Sequence, residues 1–167
     1  LNAKQKVVIT NSNFKNKLNK NIYKIFYVKK TKSMFETIFE SKKILKNRSN
    51  YFLTSCDCIG EVENKKLKTF CNNNKIDLVF FAFKHSYFQR SLVNAHTKLI
   101  TKHNVVIDIK VKNSENNHYY GHAGYFWIKS KKVFNFLEIY KKSREYKKLS
   151  REILIDDYFK FLVKKKL

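Results

Sequence analysis

The segment Tyr51–Gly60, with the sequence YFLTSCDCIG, decides how the rest of the chain is interpreted. It opens with aromatic and small residues and carries no charge for six positions, a composition typical of a buried strand. It then presents one carboxylate, Asp57, and ends at Gly60, one of the chain's 3 glycines. Ligands of open α/β sheets collect beyond the carboxyl ends of the strands, so Asp57 is a candidate metal ligand. The simpler alternative is an aspartate that caps the following turn by bonding its own backbone.

Strands and helices alternate on both sides of this segment. Short apolar runs predict strands over residues 6–10 and 23–28. Apolar residues at helical spacing predict helices over 33–45 and 62–70, and the strongly apolar run 76–83 predicts a central strand. Alternation of this kind is typical of a parallel sheet with right-handed crossovers.

In the second half of the chain, the predicted strands follow one another without helices between them. Strands are predicted over 96–101 and 105–111, joined by a hairpin-like link, and over 119–128. Two helices close the chain, one with its apolar face on 133–140 and one that begins near Ser150. We therefore expect one α/β domain over residues 1–167, in which antiparallel strands extend a mostly parallel sheet flanked by helices.

Composition limits the function classes. The chain has 167 residues, 43% hydrophobic and 16% aromatic, which indicates a globular domain. No apolar run reaches the length of a membrane span, and the first residues lack the apolar stretch of a signal peptide. The sequence opens on leucine and stops within a helical pattern, so we expect it to be a piece of a longer protein.

The formal charge of +23 raises the question of nucleic acid. Only 4 of the 36 basic residues are arginine, the residue that nucleic-acid surfaces favour for bidentate contacts. A solvated coat of lysine is therefore favoured over a nucleic-acid groove. The 3 cysteines form no C-x-x-C pair, which favours free thiols in a reducing cytoplasm over a zinc site.

Three segments resemble, in the same order, motifs of the sugar-phosphate nucleotidyltransferases. Thr31–Thr37 is similar to the T-x-G-x-x-E-T segment that lies against the nucleotide, with Ser33 where glycine is common. Leu53–Asp57 is similar to the strand whose aspartate holds magnesium. Residues 112–163 carry a lysine before a loop, then HAGYFWIK, then EILID, similar to the family's E-K, N-A-G-x-Y-x-F and E-x-Y-x-D.

The resemblance implies a Rossmann-like fold and a Mg²⁺-dependent enzyme of nucleotide-sugar and polysaccharide biosynthesis. Such an enzyme joins a nucleoside triphosphate to a sugar 1-phosphate and releases pyrophosphate. The resemblance implies that Asp57 is catalytic and holds the metal, and that Lys112 is catalytic and meets the sugar phosphate. It implies substrate-binding roles for Glu36, Thr37, Gly124, Glu152 and Asp156. The family's glycine-rich loop and second metal-binding aspartate have no counterpart here, so we expect residues 1–167 alone to be inactive.

Several alternatives stay open at individual positions. Lys112 is equally well a surface lysine, Gly124 a strand bulge, and Glu152 a first-turn carboxylate that faces the helix dipole. If the last helix begins near Ser150, Glu152 and Asp156 share one helix face, while Asp156 and Asp157 diverge. His118 and His122 are predicted on a strand, in structural or sugar-facing roles and not as metal ligands.

Two other function classes compete with the nucleotidyltransferase. One is a GT-A type glycosyltransferase, which uses a nucleotide-sugar donor. That class needs two acids around one residue at the strand tip, whereas Asp57-Cys58-Ile59 offers one. The other is a non-catalytic, basic, nucleic-acid-binding module. The nucleotide, the sugar and the oligomeric state do not follow from the sequence.

Overall fold

The computed structural model describes residues 7–14, 24–46, 50–54, 62–73, 75–84, 97–112 and 120–166. Its strands are β1 (Val7–Asn11), β2 (Lys24–Val28), β3 (Asn50–Thr54), β4 (Leu78–Lys84), β5 (Lys98–Lys102), β6 (Val105–Lys110) and β7 (Tyr120–Lys129). Its helices are α1 (Met34–Glu40), α2 (Lys42–Lys46), α3 (Asn64–Asn73), α4 (Ser130–Asn135), α5 (Leu137–Lys142), α6 (Arg144–Lys147) and α7 (Ile155–Lys165), and a 3-10 turn follows β1 at Ser12–Phe14. The order of strands and helices is the order that the sequence predicts.

Two predicted helices are interrupted. The helix predicted over 33–45 is divided at Ser41, which is fully buried and whose hydroxyl donates to the Thr37 carbonyl at 2.8 Å. The helix predicted around 133–140 is a series of three short helices, α4 to α6, broken at Phe136 and Ser143. These breaks fold the helical layer around the aromatic core.

Strand β7 is the centre of a five-stranded sheet. Residues Phe126–Ile128 pair with β3 and also with β4, so these two strands lie on opposite edges of β7. Gly121 pairs with both β4 and β5, so β5 lies on the same edge as β3. Strand β6 pairs with β5, and β1 and β2 form a separate two-stranded sheet.

The expected parallel character of the central strands is not confirmed. Within the described strands, every pairing of the five-stranded sheet is antiparallel, and the parallel pairing is that of β1 with β2. Strands β3 and β4 do run in the same direction, with α3 between them in sequence, because both are antiparallel to β7. The long-range insertion of β7 between them separates the pair that local alternation predicts to be neighbours.

Helices α1, α5 and α7 pack together, and α7 lies on β6. The core between the helices and the sheet contains large residues that are at most 1% exposed, among them Phe35, Leu99, Ile109, Phe126, Phe134, Tyr158 and Phe159. The rings of Phe52, Phe81 and Tyr125 contact one another and alternate with core residues, which places them on the other sheet face. None of the described helices combines the length and the apolar character needed to cross a lipid bilayer.

Candidate functional site

An interval on one edge of β7 forms the candidate site. Strand β3 ends at Thr54, opposite Tyr125, and the pairing of β5 with β7 begins with Lys98, opposite Gly121. Among the described residues, the β7 segment His122–Gly124 therefore lies between the carboxyl end of β3 and the first pairing of β5, and we call this interval the sheet gap. Strand ends of this kind are where α/β folds bind their ligands.

Gly124 gives the backbone an unusual shape at the sheet gap. Its φ of 77° lies in the left-handed region, which glycine adopts without a steric penalty. The pairing of β4 with β7 shifts register here, since Phe80 faces Phe126 while Ala82 faces His122. Strand β7 thus advances four residues where β4 advances two, and Gly124 lies within this bulge. The bulge alternative from the sequence is therefore what the structure shows, and bulges re-aim backbone and side chains beside functional sites.

Three buried polar side chains border the sheet gap: Thr97, His122 and Asp156. They are 6%, 7% and 8% exposed, so each is removed from water. The Thr97 hydroxyl donates to Asp156 Oδ2 at 2.8 Å, and His122 Nδ1 lies 3.2 Å from Asp156 Oδ1. The second contact is an ion-pair distance without hydrogen-bond alignment, so Oδ1 can still accept a hydrogen bond. We call these three residues the polar cluster.

Further contacts fix the imidazole of His122. Its Nε2 lies 3.3 Å from the Tyr125 carbonyl oxygen, and its backbone N–H donates to the Thr97 carbonyl at 2.9 Å. The rings of Phe80 and Phe126 lie 5.7 and 4.3 Å from its centroid. The orientation of the buried His122 ring is therefore fixed by hydrogen bonds and by ring contacts. The structure agrees with the prediction of a strand location for His122, while His118 lies outside the described residues.

The start of α7 carries two carboxylates that point to different partners, as the sequence predicts. Asp156 contacts the sheet through the polar cluster. Asp157 accepts from Arg151 at 2.8 Å and 2.6 Å and from the Leu154 backbone N–H at 2.9 Å. The hydrogen bond that Arg151 donates to Asp157 raises the pKa of Arg151 above its ordinary value. Asp157 therefore closes the first turn of α7, where a carboxylate is also favoured by the helix dipole.

The predicted start of the last helix near Ser150 is wrong. Helix α7 begins at Ile155, so Glu152 precedes it and does not share a helix face with Asp156. Glu152 is exposed, and its backbone carbonyl accepts from the Arg151 guanidinium at 2.7 Å. The first-turn alternative for Glu152 is wrong for the same reason. Ser150 is a favourable cap by type, but the Arg151–Asp157 contact sets the start of the helix several residues later.

The side chains of Glu36 and Thr37 are used in the first turn of α1. Ser33 is the N-cap, with its hydroxyl accepting from the Glu36 N–H at 3.2 Å, and Glu36 accepts from the Lys32 N–H at 2.8 Å. The Thr37 hydroxyl bonds to that of Thr31 at 2.6 Å. The serine at the family's glycine position thus caps the helix in extended backbone, with φ −158°.

The other predicted site residues are less closely placed. Lys112 is exposed in the turn that follows β6, with a left-handed φ of 46°. Asp57 lies outside the described residues, three positions after the last residue of β3. Among the described residues, no three His, Cys, Asp or Glu side chains come together as a metal site.

Sequence reasoning did not assign Thr97 to the site, and it left His122 with a structural or a sugar-facing role. His122 opens the HAGYFWIK segment, where the family motif has asparagine, which is the signal that points to it. Thr97 gives no signal of its own, since its role depends on a contact with α7, far along the chain. Of the predicted residues, the structure brings Gly124 and Asp156 together at the sheet gap.

The architecture is the fold of the sugar-phosphate nucleotidyltransferases. The inositol-1-phosphate CTP transferase from T. maritima aligns over 95% of this chain with a TM-score of 0.66 and 17% identity. A putative glucose-1-phosphate thymidylyltransferase from Bacillus anthracis aligns over 95% with a TM-score of 0.66 and 15% identity. A UDP-glucose pyrophosphorylase complexed with UDP-glucose aligns over 94% with a TM-score of 0.65 and 15% identity. The α/β fold expected from the sequence motifs is thereby confirmed.

The chain spans less than two thirds of these three solved structures, between 62% and 63% of their length. No protein-family model matches the sequence, and a search of curated proteins finds no match. The likeness at these identities concerns the fold.

Proposed function

We propose that this chain belongs to a sugar-1-phosphate nucleotidyltransferase, which forms a nucleotide-sugar and releases pyrophosphate. One observation carries the proposal: the carboxyl end of β3, the strand that leads to Asp57, lies beside the Gly124 bulge in a nucleotidyltransferase-like sheet. Substrates of the matched solved structures include sugar phosphates by name, and one structure holds UDP-glucose. These names support the class of substrate and not a particular nucleotide or sugar.

In the proposed reaction, an oxygen of the sugar 1-phosphate attacks the α-phosphorus of the triphosphate in line. A new phosphorus–oxygen bond forms, the bond between the α-phosphorus and the bridging oxygen breaks, and pyrophosphate leaves. Such transfers depend on positioning and on positive charge near the phosphates. Lys112 supplies that charge to the sugar phosphate as a mobile ammonium, in keeping with its exposed position after β6.

We assign the metal to Asp57, with Mg²⁺ as the ion that suits a carboxylate ligand. When bound, Mg²⁺ neutralises charge on the phosphate oxygens. Glu36 and Thr37 are proposed to border the nucleotide through the start of α1, where their side chains hold the turn. Gly124 is proposed to present its backbone to the sugar, and the exposed Glu152 to accept hydrogen bonds from sugar hydroxyls.

The test is a pyrophosphate-release screen of nucleoside triphosphates against sugar 1-phosphates with the full-length protein and Mg²⁺. We expect turnover with one combination, and loss of more than about a hundredfold in Asp57→Asn, since a metal contributes several kcal/mol. Asp77→Asn is the matched control, because Asp77 pairs with Lys132 on the surface at 3.0 Å and has no proposed role. Full activity in Asp57→Asn would remove Asp57 from the site.

Two further assays separate the competing classes. Sugar transfer from a nucleotide-sugar to an acceptor, together with no pyrophosphate release in the screen, would identify a glycosyltransferase. Saturable nucleic-acid binding with steep salt dependence and no turnover would identify a basic binding module. Residues 1–167 alone are expected to be inactive, and turnover by this piece would contradict that expectation.

A further inference from the structure

We infer that His122 is a positioning residue, which holds the Gly124 bulge in shape for the sugar end of the substrate through the polar cluster. The inference rests on the proposed function and adds to it a residue outside the predicted site. It also changes the role of Asp156, whose carboxylate is engaged by Thr97 and His122 inside the protein. Asp156 therefore acts on the site through His122 and not by direct contact with substrate.

The imidazole of His122 spans the bulge. Its backbone N–H is fixed by the Thr97 carbonyl at 2.9 Å, and its ring reaches the carbonyl oxygen of Tyr125 at 3.3 Å. Ala123 and Gly124 lie between these two anchored positions, where β7 carries residues without partners in the β4 register. The side chain of His122 thus links both ends of the segment whose backbone turns at Gly124.

The same ring connects the bulge to α7 and to β5. Nδ1 lies 3.2 Å from Asp156 Oδ1, and the other carboxylate oxygen accepts from Thr97 at the start of β5. A neutral imidazole has one N–H and can donate to only one of its two oxygen neighbours. Asp156 Oδ1 has no hydrogen bond among the described residues and faces the Nδ1 side of the ring, so an apolar replacement would place carbon against a buried carboxylate oxygen.

Two substitutions separate this role from simple packing between Phe80 and Phe126. His122→Gln keeps an N–H near the position of Nε2, so it can still donate to the Tyr125 carbonyl, but it loses the ring. His122→Leu keeps apolar volume but loses both polar contacts. If His122 only fills space, leucine is the better replacement; if it positions the bulge, glutamine is. Thr97→Ser and Thr97→Val make the same distinction at the hydroxyl that fixes Asp156, and His103→Asn is a control at the exposed β5–β6 turn.

Two readouts are taken on the full-length protein. The first is steady-state kinetics of pyrophosphate release. We expect His122→Leu and Thr97→Val to raise the KM for the sugar 1-phosphate about tenfold, the size of one lost hydrogen bond. The KM for the triphosphate is expected to stay within about twofold in these variants, and both KM values are expected to stay near wild type in His122→Gln, Thr97→Ser and His103→Asn.

The second readout is amide hydrogen exchange over residues 122–125, which needs no turnover. We expect exchange at these amides to be about tenfold faster in His122→Leu and unchanged in His122→Gln. Unchanged KM and exchange in His122→Leu, or a larger defect in His122→Gln, would overturn the positioning role. Absence of turnover in the wild-type protein would instead overturn the proposed function and the sugar-binding part of the inference, while the exchange result decides the positioning separately.

Discussion

Replacement of Asp157 tests how α7 is fixed at its first turn. Asp157 is 7% exposed, and its carboxylate accepts two hydrogen bonds from Arg151 and one from the Leu154 N–H. Asp157→Ala removes all three contacts at once. The guanidinium then loses its partner, and an orphan N–H is left at the start of a helix that packs on β6.

The cost follows from these contacts. Loss of a helix cap costs about 1 kcal/mol. The pair with Arg151 is bidentate, but the Arg151 side chain is 37% exposed, so we discount it to about 1–2 kcal/mol. The expected loss is about 2–3 kcal/mol of unfolding free energy, a substantial part of the stability of a domain this size. The loss of unfolding free energy in Asp157→Asn should be smaller, since the amide oxygen can still accept from the Leu154 N–H.

Urea denaturation of the full-length protein measures this loss as a lower midpoint at unchanged m-value. Glu63→Ala is the control, because Glu63 forms an exposed pair with Lys66 and its removal should change stability by at most about 0.5 kcal/mol. If Asp157→Ala is as mild as Glu63→Ala, the Arg151–Asp157 contact does not hold the helix start. The explanation given above for the late start of α7 would then be wrong.

Three further predictions concern the core. Burial raises the pKa of Tyr140 and Tyr158 above the ordinary 10.0, so the folded state keeps these protons and stability is lost as pH rises above 10, by about 1.4 kcal/mol per tyrosine and pH unit. Tyr158→Phe should make the decline of unfolding free energy with pH shallower in an alkaline titration. An unchanged slope would contradict the burial of the Tyr158 hydroxyl. Phe35 is 0% exposed amid aromatic rings, so Phe35→Ala should lower the unfolding free energy measured in urea by about 3–5 kcal/mol. The control Ile139→Ala, at a 54% exposed position, should lower it by less than about 1 kcal/mol. Equal losses would contradict this placement of the core. Burial raises the pKa of the Cys71 thiol, so this thiol should react slowly in the folded protein. With Cys56 and Cys58 replaced by serine, the folded protein should react with an aromatic disulfide reagent far more slowly than the unfolded protein. Equal rates would show an accessible thiol.

Local pattern was sufficient for the elements and their order. Period-2 and helical spacing predict the strands and helices, because alternation of apolar residues reflects which face of each element is buried. The divergence of Asp156 and Asp157 likewise follows from the helical period alone. The motif resemblance adds the fold, since its segments occur in the family's order and the solved structures share the architecture.

Two failures have different physical causes, one a pairing of strands that are distant in sequence and the other a side-chain contact close to the start of the helix. Strand β7 pairs with both β3 and β4 and lies between them, and the local sequence pattern of β3 or β4 does not predict a partner so far along the chain. The start of α7 is fixed by the Arg151 guanidinium on Asp157, which overrides the capping preference of Ser150. The second contact joins residues six positions apart, and its hydrogen bonds outweigh a capping preference of about 1 kcal/mol.

The sequence by itself determined the alternation of elements, the position of an acid shortly after strand β3, and the glycine that permits a left-handed backbone at 124. Only the tertiary structure decided that the bulge at Gly124, the start of β5 and the start of α7 meet in one polar cluster. The reason is that hydrogen-bond geometry and burial depend on which side chains the packed sheet and helices bring within about 3 Å of one another. Thr97, His122 and Asp156 are far apart in the chain, and the sheet gap is where folding places them together.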